Sequence, residues 1–272
     1  MKHSDLGVLD DAVLLFGGSY SNACALQALL ARAEEMRISC DNMICTGDLV
    51  AYCGEPGKTL ALTIGLGIHV VAGNCEIQLA AEAIDCGCGF DAGSVCDLLS
   101  AGWFAYAASK VSADQRRWMA GLPDIVTFRH QGARYGVIHG GVTDVARFIW
   151  STSTAEVFGA EWCAAEEQVG PLDNIICGHS GIPFIRQTSR GRWINAGVIG
   201  MPPHDGSQQT RFAVLDGGEV IIHRLQYDVT SAVASMKDAG LTQGYERALL
   251  TGYWPSEDIL PAALRLPTLA SG

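Results

Sequence analysis

A chain of 272 residues with net charge -11, 49% hydrophobic and 17% charged, reads as a compact globule with a sizeable core. The acidic balance argues against a nucleic-acid backbone or an anionic membrane as the main partner. It leaves room for a small phosphorylated substrate, because a local metal can outweigh the global field.

Residues Met1 to Asp11 are polar and lack the apolar core of a signal peptide. Ala12 to Phe16 is a short apolar run, hence a buried strand. It ends in Gly17-Gly18-Ser19-Tyr20, a turn with no carboxylate, histidine or lysine. Ala23 to Met36 carries apolar residues at helical spacing, with Asn22 placed to cap it. Met43 to Thr46 predicts a second strand ending in Gly47-Asp48. Thr59 to Leu66 predicts a helix, and Ile68 to Ala72 a third strand ending in Gly73-Asn74. This β-α-β-α-β order predicts parallel strands with right-handed crossovers. The apolar stretch from Thr59 to Val71 is too short and too broken to span a bilayer.

Residues 75–122 are rich in alanine and glycine and read as a helical insertion over one sheet edge. Ser112 and Gln115 have capping-box spacing within it. "DIVTFRH" and "RYGVIHG" then predict a hairpin across Gln131-Gly132-Ala133. A helix over Thr154 to Val169, a strand at "NIICGH" and a hairpin near "FIRQTSRGRWINAG" follow. "RFAVLD" and "EVIIHRLQ" predict a last hairpin, and the segment from Val229 reads as helical and peripheral. The expectation is one domain over 1–272, with its peripheral segment at 229–272. With no export signal, the protein is expected in the cytoplasm and its ten cysteines as reduced thiols.

Four strand ends finish on residues able to hold a metal: "TGD" with Asp48, "AGNCE" with Asn74, "VIHGG" with His139 and "CGHSG" with His179. One carboxylate, one amide oxygen and two imidazoles form a first shell suited to Zn, Mn or Fe. The plain alternative makes the histidines hydrogen-bonded core residues and Asp48 a turn residue. Taken position by position that alternative is the better one; four strand ends together favour the metal.

The order "GD", "GN", "HG", "GHSGIPF" and "INAGVIGMPPHDG" resembles the calcineurin-like metallophosphoesterases, in particular the small bacterial and archaeal branch. The resemblance covers about 12–216. It implies an α/β fold, a four-layer α/β/β/α sandwich of two mixed β-sheets flanked by helices. It also implies hydrolysis of a phosphomonoester or phosphodiester with two divalent metals. Against the family pattern, Gly18 stands where an aspartate ligand belongs, and Tyr20 and Gly181 where histidine ligands belong. All three losses fall on one metal. The residues matching the other metal, Asp48, Asn74, His139 and His179, are present.

The resemblance therefore implies one divalent ion, Mn, Fe or Zn, or none. Two functions stand: a metal-dependent phosphoesterase with a partly degraded site, or an inactive relative that binds a ligand or a protein partner through the same cleft. Cys75 and Glu76 stand near the family's general-acid position and are candidate acids; Cys75, as a thiolate, is also a candidate ligand. Tyr20 is a reluctant ligand, since an ordinary tyrosine titrates at about 10. Arg147, after "HGG", is the candidate for gripping a phosphate. "GEPGKT" is no phosphate-binding loop, because the pattern needs a glycine where Tyr52 stands. Cys86 and Cys88 are too close together for an ordinary zinc pair and read as incidental thiols.

Overall fold

The computed structural model describes residues 1–91 and 93–266. Parts of the expected insertion and of the expected C-terminal segment, at 92 and 267–272, lie outside them. Two mixed sheets stack face to face. The five-stranded sheet runs β11-β10-β2-β3-β4 and the six-stranded sheet β1-β5-β6-β7-β9-β8. In the first, β2 (Val13–Phe16), β3 (Met43–Cys45) and β4 (His69–Val70) are parallel. The hairpin β10 (Thr210–Asp216) and β11 (Glu219–Leu225) joins them antiparallel. In the second, β6 (Ala133–Val137), β7 (Asn174–Cys177) and β9 (Arg192–Asn195) are parallel. There β5 (Ile125–His130) and β8 (Phe184–Gln187) pair antiparallel with their hairpin partners.

The period of two along each strand sorts its side chains into layers. Val13, Leu15 and Ile44 meet Val126, Phe128, Val137 and Ile176 between the sheets. Leu14, Phe16 and Cys45 face the other way, toward α1 (Ala23–Glu35) and the other helices on that side. Outside the six-stranded sheet, Ile175 and Trp193 pack on Phe158 and Trp162 of α6 (Ala155–Val169). The expected four-layer α/β/β/α sandwich is the observed one. Asn22 caps α1 by accepting from the Ala25 amide, and Ser112 and Gln115 form the reciprocal capping box of a later helix (Ala113–Gly121).

Three features differ from the expectation. The polar N-terminus forms a strand, β1 (His3–Val8), paired parallel with β5 at the sheet edge. Its side chains are mostly exposed, so it lacks the apolar run that marks a buried strand. Cys86 and Cys88 are joined by a disulfide rather than reduced. Gly87, at φ +58, turns the chain between them.

The third correction concerns the C-terminal segment, which is not peripheral. Its helices α7 (Val229–Asp238) and α8 (Tyr245–Thr251) place Met236, Ala248 and Leu249 fully inside the main core. Val229, Ala232, Val233 and Met236 recur at helical spacing, the apolar face of a packed helix.

Candidate metal centre

Asp48 follows β3, Asn74 follows β4, His139 follows β6 and His179 follows β7. All four lie beyond the carboxyl ends of parallel strands, two from each sheet, where open α/β sheets place their sites. Asp48 and His179 both hold φ +58, the left-handed region that side-chain-bearing residues rarely occupy. The glycines beside them make room. A Cβ on Gly73 would meet the Asp48 carboxylate at 2.5 Å, and one on Gly47 would meet His139 Nδ1 at 2.7 Å.

The side chains converge. His139 Nε2 lies 3.0 Å from Asn74 Oδ1, 3.1 Å from His179 Nδ1 and 3.3 Å from Asp48 Oδ2. His179 Nδ1 lies 3.9 Å from the same Asp48 oxygen. Second contacts fix what each group offers. His139 Nδ1–H donates to the Thr46 carbonyl at 2.6 Å, so the neutral ring turns a lone pair inward. Asn74 Nδ2 donates to the Cys86 carbonyl at 2.9 Å, which leaves its oxygen facing the cluster. Four acceptors then point at one another, an arrangement that suits a cation. Before a cation enters, burial works against the Asp48 charge, but a protonated His139, whose Nε2–H then faces that carboxylate, and after it His179 outweigh burial and hold the carboxyl well below its usual range.

The two candidate acids are committed elsewhere. Glu76 accepts from the Asp48 amide (2.8 Å), the Leu49 amide (2.8 Å) and the Gly73 amide (3.0 Å). It clamps the Asp48 loop to the start of α3 (Asn74–Ala80) and does not line the cleft. Burial and the Asp48 charge push it up to about 7, against the pull of those amides. Glu76→Gln should cost about 1–2 kcal/mol in urea denaturation, because one amide loses its acceptor in a buried place. Cys75 is buried beside Asn74, and burial, then Asp48 and Glu76, push its thiol well up. That disfavours the thiolate a ligand would need.

Arg147 does not reach the site. It pairs with buried Glu161 at 2.8 Å, and Glu161 also takes the Val142 and Thr143 amides. A cation beside a buried carboxylate is claimed by it. Arg147→Ala is therefore expected to cost about 1 kcal/mol of stability and to leave Mn2+ affinity unchanged by calorimetric titration.

Where a side chain on Gly18 would start stands the ring of Tyr20, with the Asp48 carbonyl 2.8 Å away. A Cβ on Gly181 would meet the Trp254 ring at 3.6 Å. Tyr20 and Trp254 border a cleft whose walls include Tyr52, Phe90, Phe148 and Tyr245, with the buried Asp48 and His179 at its floor. Phe148 lies against the His179 ring at 4.3 Å between centroids. No lysine or arginine lines the cleft among the described residues.

Sequence reasoning missed Tyr245 and Trp254, which come from the segment read as peripheral. It also missed His204, whose Nδ1 accepts from the Trp254 amide (2.8 Å) and whose Nε2 meets Glu257 (2.7 Å). The "PPHDG" stretch becomes readable only with the His204 partners Trp254 and Glu257 in place.

Two mixed sheets with carboxylate, amide and imidazole donors at their carboxyl ends define a metallophosphoesterase-like protein. Residues 20–219 match the Calcineurin-like phosphoesterase superfamily domain, and the chain belongs to that family. Similar solved structures include a metallophosphoesterase from Sphaerobacter thermophilus. It is 20% identical, with 90% of this chain and 100% of that one covered and a TM-score of 0.68. A hypothetical protein from Pyrococcus horikoshii OT3 is 18% identical, with 89% and 98% covered and a TM-score of 0.71. No curated protein matches the chain significantly. No helix among the described residues is long and apolar enough to cross a membrane.

Proposed function

We propose that the protein binds one divalent ion through Asp48, Asn74, His139 and His179, and through it a phosphoester that it hydrolyses slowly. The carrying observation is the convergence of those four donors, with the His139 and Asn74 orientations set from behind. A divalent ion there supplies Lewis acidity toward a phosphoryl oxygen and acidifies a water. The chain's part is to hold Asp48 ionised, to set the His139 imidazole as an acceptor through Thr46 and to keep Asn74 turned inward. In this reading Gly18, Tyr20 and Gly181 are the lost ligand positions of a second ion. Without that ion one oxygen of an in-line displacement lacks its counter-charge, which makes turnover slow.

A specific observation favours a second reading, in which the protein binds its ligand without turnover: the Tyr20 ring fills the corner where the second ion's aspartate would project. Metal analysis after loading with Mn, Fe or Zn, followed by assays on monoesters and diesters, tests both. One ion per chain with slow hydrolysis lost in His139→Ala supports the first. One ion with no hydrolysis supports the second. Two ions with fast turnover would refute both.

A further inference from the structure

We infer that the Tyr20 hydroxyl donates a hydrogen bond to the phosphoryl group held on the ion, in place of part of the lost second cation; this rests on the one-ion reading above. Two independent features point there. The first is an unused donor. Among the described residues the Tyr20 hydroxyl has no hydrogen-bond partner, yet it is not sealed in as the partnerless Tyr227 hydroxyl is. It therefore opens on the cleft that Tyr20 helps to wall. No lysine or arginine lines that cleft among the described residues, so phosphoryl oxygens that do not touch the ion depend on neutral donors. The indole N–H of Trp254, another donor on the wall, is taken by the Pro202 carbonyl at 2.7 Å. A phenol offers one O–H, and the charge on a phosphoryl oxygen makes that bond stronger than one between neutral groups.

The second feature is the backbone. Tyr20 holds φ +49, in the left-handed region, which for an aromatic residue is a true outlier. Asp48 and His179 in the centre lie in the same region. Strain of this kind persists where the surroundings over-determine it, and it clusters at ligand clamps. Here the Tyr20 amide donates to the Asp48 carbonyl at 3.2 Å, and the Tyr20 carbonyl accepts from the Cys53 amide at 3.1 Å. Gly200 leaves the side chain room, since a Cβ there would meet the Tyr20 Cβ at 2.6 Å. The ring stands edge-on to Tyr52 at 4.8 Å, and Tyr52 is backed by Tyr245 at 4.4 Å. The loop that carries Asp48 thus fixes the phenol beside it. A donor fixed before binding loses little freedom on meeting its acceptor.

The test uses methylphosphonate, a phosphate mimic whose P–C bond no esterase cleaves, titrated by calorimetry into Mn2+-loaded protein. Tyr20→Phe keeps the ring and its packing and removes only the hydroxyl. It should weaken methylphosphonate binding by about tenfold or more, the loss of one hydrogen bond to a charged group. Mn2+ affinity should be unchanged. Undiminished methylphosphonate binding in the variant overturns the claim, as does no binding by Mn2+-loaded wild type. A fall in Mn2+ affinity would make Tyr20 a ligand of the ion and overturn the donor role. Zn2+-loaded wild type carrying 13C at tyrosine Cζ gives a check that needs no variant. The Tyr20 signal, assigned through its contacts with Tyr52, should shift as methylphosphonate binds; a signal that stays put overturns the claim. Failure of either metal to bind refutes the one-ion reading instead, and Tyr20 is then judged in metal-free protein. Methylphosphonate binding that is lost in Tyr20→Phe upholds the donor; undiminished binding there, or none by wild type, refutes it.

Discussion

Asp48→Asn should abolish metal-linked stabilisation while leaving the fold intact. Asparagine has the same shape, and its oxygen can still accept from the Cys75 amide, which lies 3.3 Å from Asp48 Oδ1. What it removes is the one negative charge among four donors. At a Mn2+ concentration of 100 times Kd, wild type should gain about 2.7 kcal/mol in denaturant unfolding. In the variant the same concentration should give no measurable gain, which corresponds to at least about a 100-fold loss of affinity. An undiminished shift would place the ion elsewhere. The wild-type shift should also depend on pH. Burial opposes protonation of His139, but the Asp48 charge and hydrogen bond outweigh it, so this ring titrates above the usual imidazole value. Metal binding needs the neutral ring. The stabilisation is therefore full above that value and is lost as pH falls through it.

The second large effect concerns the filled corner. Gly18→Asp should destabilise the protein by about 2–3 kcal/mol, because the new Cβ meets the Tyr20 ring and the Asp48 carbonyl. Tyr20→His in the same chain exchanges the phenol for a smaller imidazole and should restore at least about 1 kcal/mol of that loss, a coupling that a double-mutant cycle measures directly. Adding Gly181→His should then allow a second Mn2+ per chain, counted by metal analysis. Gly181 sits at φ +73, so this third change carries backbone strain of its own. If Gly18→Asp costs the same with either residue at position 20, Tyr20 is not what closes the corner.

Much of this centre was legible beforehand. Asp48, Asn74, His139 and His179 each follow an apolar run and stand beside a glycine, and that pattern predicts a side chain at a sheet's rim. The buried strands were legible for the same reason. Other parts depend on partners far off in sequence. Glu76 looks like a free acid until three backbone amides are brought to it. Arg147 looks like a phosphate grip until α6 delivers Glu161. Trp254 and Tyr245 lie beyond the periodic helix α7, in a stretch whose place is fixed by the surface it covers. The left-handed backbone at Asp48 and His179 has no sequence signal beyond the adjacent glycines.

The hydrogen bond from His139 to the Thr46 carbonyl has a bearing beyond orientation. His139 belongs to the six-stranded sheet and Thr46 to the five-stranded one, and Asp48 and Asn74 meet the two histidines across the same divide. These four residues therefore act as rivets between the halves of the sandwich as well as donors. Gly18 crosses the divide through its backbone alone, its carbonyl accepting from the Ile199 and Gly200 amides beyond β9 at 3.2 and 2.9 Å. In the one-ion reading proposed above, the ligand side chains lost at Gly18 and Gly181 leave such backbone bonds in place. The other half is shielded from loss, because each step that dismantles it also loosens the seam on which the sandwich is built.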